Sequence, residues 1–147
     1  MSEADRYRLK PVADARSREE RVRRGDLAAA ASDARASQLV IDASARRVEE
    51  ARAKLEAART AQRTRIASGT TSSELARGEH YIVRTRRDLD AALDAHARAE
   101  VSHRGQLDAV DSARGRLARA RADKEVIERH FARWRAEKAK LAERRED

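Results

Sequence analysis

The stretch "ASGTTSSELA", Ala67 to Ala76, is the one segment of this chain that reads as a break. Gly69 suits the position just past a helix end, where the backbone must take a positive φ. Thr71 followed by Glu74 has the spacing of a capping box, in which a hydroxyl and a carboxylate satisfy the first free N–H groups of a new helix. On both sides of this stretch the sequence can be helical throughout. The spacing predicts one helix over about 9–67, a turn over about 68–73 and a second helix over about 74–145, all within a single coiled-coil domain spanning 1–147. Pro11 falls in the first turn of the first helix, where its missing N–H has no partner to lose.

Downstream of the turn the heptad pattern is clean. Steps of seven from Leu75 give Ile82, Leu89, His96, His103, Val110, Leu117, Lys124, Phe131 and Lys138. An offset of three gives Gly78, Thr85, Ala92, Ala99, Gln106, Ala113, Ala120, Ile127, Trp134 and Leu141. Most of these are apolar or small, as the seam of a coiled coil requires. Upstream, Leu27, Ala34, Ile41, Val48, Leu55 and Gln62 recur in the same way, accompanied by Ala30, Ser37, Ser44, Ala51 and Ala58. A further stripe, Leu9, Val12, Ala15 and Val22, is out of phase with these. Gly25 lies between the two stripes and reads as a local bend or phase change, since a helical Gly costs about 1 kcal/mol relative to Ala.

One short turn makes the helices antiparallel neighbours. The expected fold class is all-α, a long antiparallel two-helix coiled-coil hairpin, elongated to a rod of roughly 90 Å. Centring the turn on Thr71 pairs residues whose numbers sum to about 142. Ile66 then meets Leu75, Leu55 lies near Leu89, and Val48 near Leu93. At the far end Leu9 approaches Trp134 and Val12 approaches Phe131. A hairpin folded within one chain is the expectation, over a helix-swapped dimer.

Composition supports this reading. Charged residues make up 41% of the chain and aromatics 3%, which excludes a thick globular core. The periodicity argues against disorder, the competing reading of so polar a chain. Cysteine is absent, so there is neither a disulfide framework nor thiolate chemistry. The opening "MSEADRYRLK" lacks the apolar run of a secretory signal, and no window reaches the ~18 apolar residues of a membrane span. The expectation is a soluble, cytoplasmic protein with no direct membrane insertion.

His96 and His103 invite a metal or catalytic reading. A spacing of seven puts them ~10.5 Å apart along a helix axis, too far to share one zinc. His96 is flanked by alanines, and His103 has Ser102 beside it but no second His or carboxylate next to the pair, so neither completes a catalytic set in sequence. No Gly-rich phosphate loop, HExxH or GxSxG motif is present. The expectation is therefore a non-enzyme without metal or other cofactor. Instead, pairing places Gln38 close to His103, with Gln106 a turn further on. This predicts a polar seam layer that fixes register at a cost in stability.

The net charge is +8. Residues 1–26 carry eight basic and six acidic residues, and residues 111–147 carry twelve and eight, so together they hold +6. Residues 27–110 carry fourteen and twelve, or +2. The basic excess thus lies where the termini meet, together with Tyr7, Phe131 and Trp134. This cluster reads either as a solvated face over a small core or as an end that docks into an acidic socket. Nucleic acid is a rival partner, but acidic residues interleave with the basic ones in "RSREERVRR" and "ERHFARWRAEKAKLAERRED", so no nucleic acid is expected. A plain structural or oligomerising coiled coil remains open as well.

Three stretches carry a family resemblance. "RYRLKPVADARSREERV" (Arg6 to Val22) is similar to the start of type III secretion stalk proteins of the YscO family, relatives of the flagellar FliJ proteins. "GEHYIVRTRRDL" (Gly78 to Leu89) resembles the beginning of their second helix, and "KEVIERHFARWRAEKAKLAERRED" (Lys124 to Asp147) their C-terminal helix. The resemblance implies a stalk that couples a hexameric secretion ATPase to the export gate of a virulence-type system, with secretion chaperones as further partners of some members. It implies that the terminal end docks into the ATPase, through Tyr7, Leu9, Arg16, Phe131, Trp134 and Arg135. Tyr81 and Arg84, near the turn, would face the export gate.

Overall fold

The computed structural model describes residues 6–146. Two helices account for nearly all of them, α1 (Lys10–Ser68, 59 residues) and α2 (Ser72–Glu146, 75 residues), packed against each other as a hairpin. The connection is three residues long, Gly69 to Thr71. Gly69 has φ 84°, the left-handed conformation that ends α1, and its N–H reaches the Ile66 carbonyl at 3.4 Å. Thr71 Oγ1 accepts the Glu74 N–H at 3.2 Å, the hydroxyl half of the capping box. The Thr70 hydroxyl donates to Glu74 Oε2 at 2.6 Å. That bond first, then the Thr71 N–H, holds the Glu74 carboxyl below the ordinary carboxylate range.

Two compact units make up the chain. Of the described residues, the first comprises 6–32 and 108–146, the second 33–107. In the second unit the buried positions of α1 are Ala34, Ser44, Val48, Leu55, Ala58 and Gln62. Those of α2 are Gly78, Thr85 and Ala99. In the first unit Glu20 of α1 is buried, as are Val110, Ala113, Leu117 and Ala120 of α2. These positions keep the heptad register through both helices. Burying a Leu such as Leu55 or Leu117 contributes about 1.5–3 kcal/mol. A seam mostly of Ala, Ser and Thr has few such contributions, and no described side chain is sealed below 2% exposure.

Two expectations need correction. α1 runs without interruption through Gly25, which is exposed and has open space around it. There is no phase change: the face turned inward upstream of Gly25 carries Leu9, Ala13, Glu20 and Arg23, whereas Val12 and Val22 are exposed. A continuous helix cannot rotate its buried face to follow apolarity, so the seam runs straight through two charged positions. The pairing also differs from the expected one. Ser37 meets His103 and Ser44 meets His96, so facing residue numbers sum to 140. The three-residue loop is centred on Thr70, not Thr71, which accounts for the shift. Ile66 and Leu93, expected in the seam, are exposed.

Candidate docking site

The candidate docking residues lie in the first unit, where Tyr7 packs on His130, Phe131 and Trp134 of α2. Tyr7 lies just before α1, whose first turn is joined to it by the Lys10 N–H donating to the Tyr7 carbonyl at 3.1 Å. Its ring meets Phe131 edge-on with centroids 4.9 Å apart, and Trp134 at 5.2 Å. Phe131 and Trp134 stack at 5.6 Å. Such pairs contribute about 0.5–1.5 kcal/mol beyond the area they bury. The spacing of three between Phe131 and Trp134 puts both rings on one face of α2, which is why a single Tyr touches both.

Cations cover the outside of this cluster. The Arg135 guanidinium lies 5.8 Å from the Phe131 centroid, and Lys138 Nζ lies 4.9 Å from that of Trp134. Both follow their ring by four residues, one helical turn on. Sequence reasoning missed His130, whose Nδ1 shares a 2.8 Å hydrogen bond with the Tyr7 hydroxyl. Nothing local in "ERHFARW" marks it, because its partner lies 123 residues away in sequence. Leu9 is half-buried. Arg16 stands apart from the rings and pairs with Asp123 across the helices at 3.5 Å.

Below the cluster, Glu20 occupies a seam position with its side chain only 4% exposed. Arg24 donates to its Oε1 at 2.5 Å, and Arg121 of α2 reaches the same oxygen at 3.5 Å. The hydrogen bond from Arg24 is the main influence holding the Glu20 carboxyl below the ordinary range, against the opposing effect of burial. The charge is tolerable because both guanidiniums extend to solvent and neutralise it from outside.

The second unit holds the remaining candidates. Tyr81 is exposed, with the Arg84 guanidinium 5.1 Å from its ring centroid. The pair lies on the surface of the second unit. The polar layer exists, but its partner is Ser37 and not Gln38. Ser37 Oγ lies 2.6 Å from His103 Nδ1, while Gln38 is exposed and donates to Asp42 at 3.1 Å. Ser37 belongs to the heptad seam and Gln38 sits one position beside it. A second layer joins Ser44 Oγ to His96 Nδ1 at 2.8 Å, with Glu100 3.2 Å from the other ring nitrogen.

Each of these serines also donates to the carbonyl three residues before it, Ser37 to Ala34 and Ser44 to Ile41. The histidines are thus joined to hydroxyls that already have a backbone acceptor, an arrangement that satisfies polar atoms in the seam. No group of three metal-ligating side chains occurs among the described residues. Among the same residues, no helix is long and apolar enough to cross a membrane. Compared with protein-family profiles, characterised proteins and solved structures, the chain matches none.

Proposed function

We propose that the chain is the coupling stalk of a type III secretion ATPase, acting on the cytoplasmic side and peripheral to the inner membrane. The cluster of Tyr7, Phe131 and Trp134, covered by Arg135 and Lys138, is the observation that carries the reading. It offers Tyr7 and Trp134 as aromatic anchors beside the delocalised guanidinium of Arg135, the residue types that dominate binding energy at protein interfaces. In this reading the cluster enters an acid-lined ring of six ATPase subunits. Tyr81 and Arg84 face the export gate, and chaperones are further partners. A hairpin inserted into a six-fold ring touches its subunits unequally, and so biases their nucleotide states or their assembly.

The nucleic-acid reading has less support, because cations such as Arg23, Arg24, Arg52 and Arg129 are engaged by carboxylates on their own helices. The test of the stalk reading is stimulation of a purified secretion ATPase by the wild type and by a variant with Arg16, Arg133, Arg135 and Lys138 changed to Glu. Stimulation by the wild type that falls with added salt and is lost in the variant is the expected result. Equal stimulation by both proteins refutes the docking end.

A further inference from the structure

The stripe of Val12, Ala15 and Val22 has apolar helical spacing, yet the hairpin does not use it. Val12 is 39% exposed and Val22 55%, while the seam beside them holds the charges of Glu20 and Arg23. Single exposed valines are ordinary. Here Val12 and Ala15 instead line one open groove of the first unit, with Ala120 of α2 in its floor. The cationic rim is formed by Arg116 and Arg119 of α2, whereas Arg23 at the end of the groove is held by Glu19 and Asp26 of its own helix.

The two acids of the groove are engaged by cations other than Arg116 and Arg119. Glu19 is held by Arg23 at 2.8 Å and Asp123 by Arg16 at 3.5 Å. Arg116 and Arg119 have no ion-pair partner among the described residues, so their charge is available to a ligand. From Pro11 to Arg23 the groove follows α1 for about 18 Å, which matches about twelve residues of a helix lying alongside.

We infer that this groove docks an amphipathic helix of a partner protein, with its apolar stripe on Val12, Ala15 and Ala120 and with Asp or Glu along its flanks. Occupied in this way, the groove becomes a third-helix site whose ridge fills the gap left between α1 and α2. A duplex nucleic acid fits less well, because the floor offers methyl groups and the groove contains two carboxylates. A second copy of this chain fits less well too, since a two-fold contact sets the same arginine rim against itself. None of the ring residues of the aromatic cluster lines the groove, and only Arg16 belongs to both sites. Failure here therefore leaves the ATPase test standing.

The experiment selects peptides on the intact chain from a displayed library of helices of about 15 residues. The apolar stripe is fixed, and the flanking positions are randomised among Asp, Glu, Lys, Arg and Ser. Enrichment of Asp and Glu at the flanks is expected, with affinity falling as salt rises. A selected peptide, labelled and followed by fluorescence anisotropy, is expected to bind at least tenfold more weakly to V12D/A15D and to R116E/R119E. Tyr7→Ala leaves its affinity unchanged, and circular dichroism confirms that each variant keeps its helix content. The inference is overturned if the selection shows no acidic enrichment, or if neither double variant weakens binding. It is equally overturned if V12D/A15D abolishes binding of duplex DNA or of anionic vesicles, or abolishes self-association in sedimentation, since each of those assigns the groove to a different occupant.

Discussion

Gly78 and Gln62 form the contact most open to quantitative attack. Gln62 is 5% exposed at the last seam position of α1, and its Nε2 donates to the Leu75 carbonyl in the first turn of α2 at 3.2 Å. A Cβ on Gly78 would overlap Gln62 Oε1, with Gln62 Cδ only 2.8 Å away. Gly78 otherwise sits in a helix interior, where changing Gly to Ala is worth about 1 kcal/mol. In Gly78→Ala the amide must therefore swing out and lose its bond, a loss of about 1–3 kcal/mol for a buried polar group. The two effects oppose each other, so the single variant is expected to be neutral or destabilised by up to about 2 kcal/mol. In a Gln62→Ala background only the flexible end of the Arg65 side chain, 3.1 Å from the added Cβ, has to give, and Gly78→Ala recovers most of the gain of about 1 kcal/mol. A double-mutant cycle by urea denaturation should return a coupling of about 1–3 kcal/mol. If Gly78→Ala stabilises both backgrounds equally, within about 0.5 kcal/mol, the claim that Gln62 requires a glycine opposite it is refuted.

Three further outcomes follow from the same structure. His103→Leu should raise the urea midpoint, by about 1 kcal/mol in free energy, because an apolar side chain fills a half-buried seam position while Ser37 keeps the Ala34 carbonyl as its acceptor; an unchanged or lowered midpoint counts against a costly polar layer. Thr71→Ala should cost about 1 kcal/mol by removing the acceptor for the Glu74 N–H, read as a lower melting temperature that Thr71→Ser restores. Glu20 has a folded-state pKa below the ordinary 4.5, so its contribution is present above pH 4.5 and is lost as pH falls through the folded value. An acid titration of stability should show a shallower acid limb for Glu20→Gln than for the wild type, and parallel limbs would remove Glu20 from the account.

Most of the hairpin was legible because its two signals are local. Gly69 needs its φ and Thr71 its capping partner wherever the rest of the chain lies, and the heptads of α2 place Thr85, Ala99, Val110 and Leu117 inward without reference to α1. The aromatic cluster was legible for a similar reason, since Phe131 and Trp134 share a face at a spacing of three. His130 was not, because its partner Tyr7 lies 123 residues away in sequence and no local rule joins them.

The pairing error is more instructive. Taking Thr71 as the centre of the turn matched His103 with Gln38, although the heptad of α1 already put Ser37 in the seam. Two constraints conflicted, and the packing constraint prevails physically, because a side chain beside the seam cannot reach its centre without rotating the whole helix. The N-terminal stripe failed in the opposite sense. Apolarity at Val12 and Val22 suggested burial, but helix continuity from Leu27 onward fixes the inward face of every preceding turn, and that face contains Glu20 and Arg23. An apolar stripe displaced from the seam of its own helix contributes nothing to the hairpin's stability. It acquires an energetic role only when something outside the hairpin covers it, and its arginine rim sets the sign of the charge that the covering surface must carry.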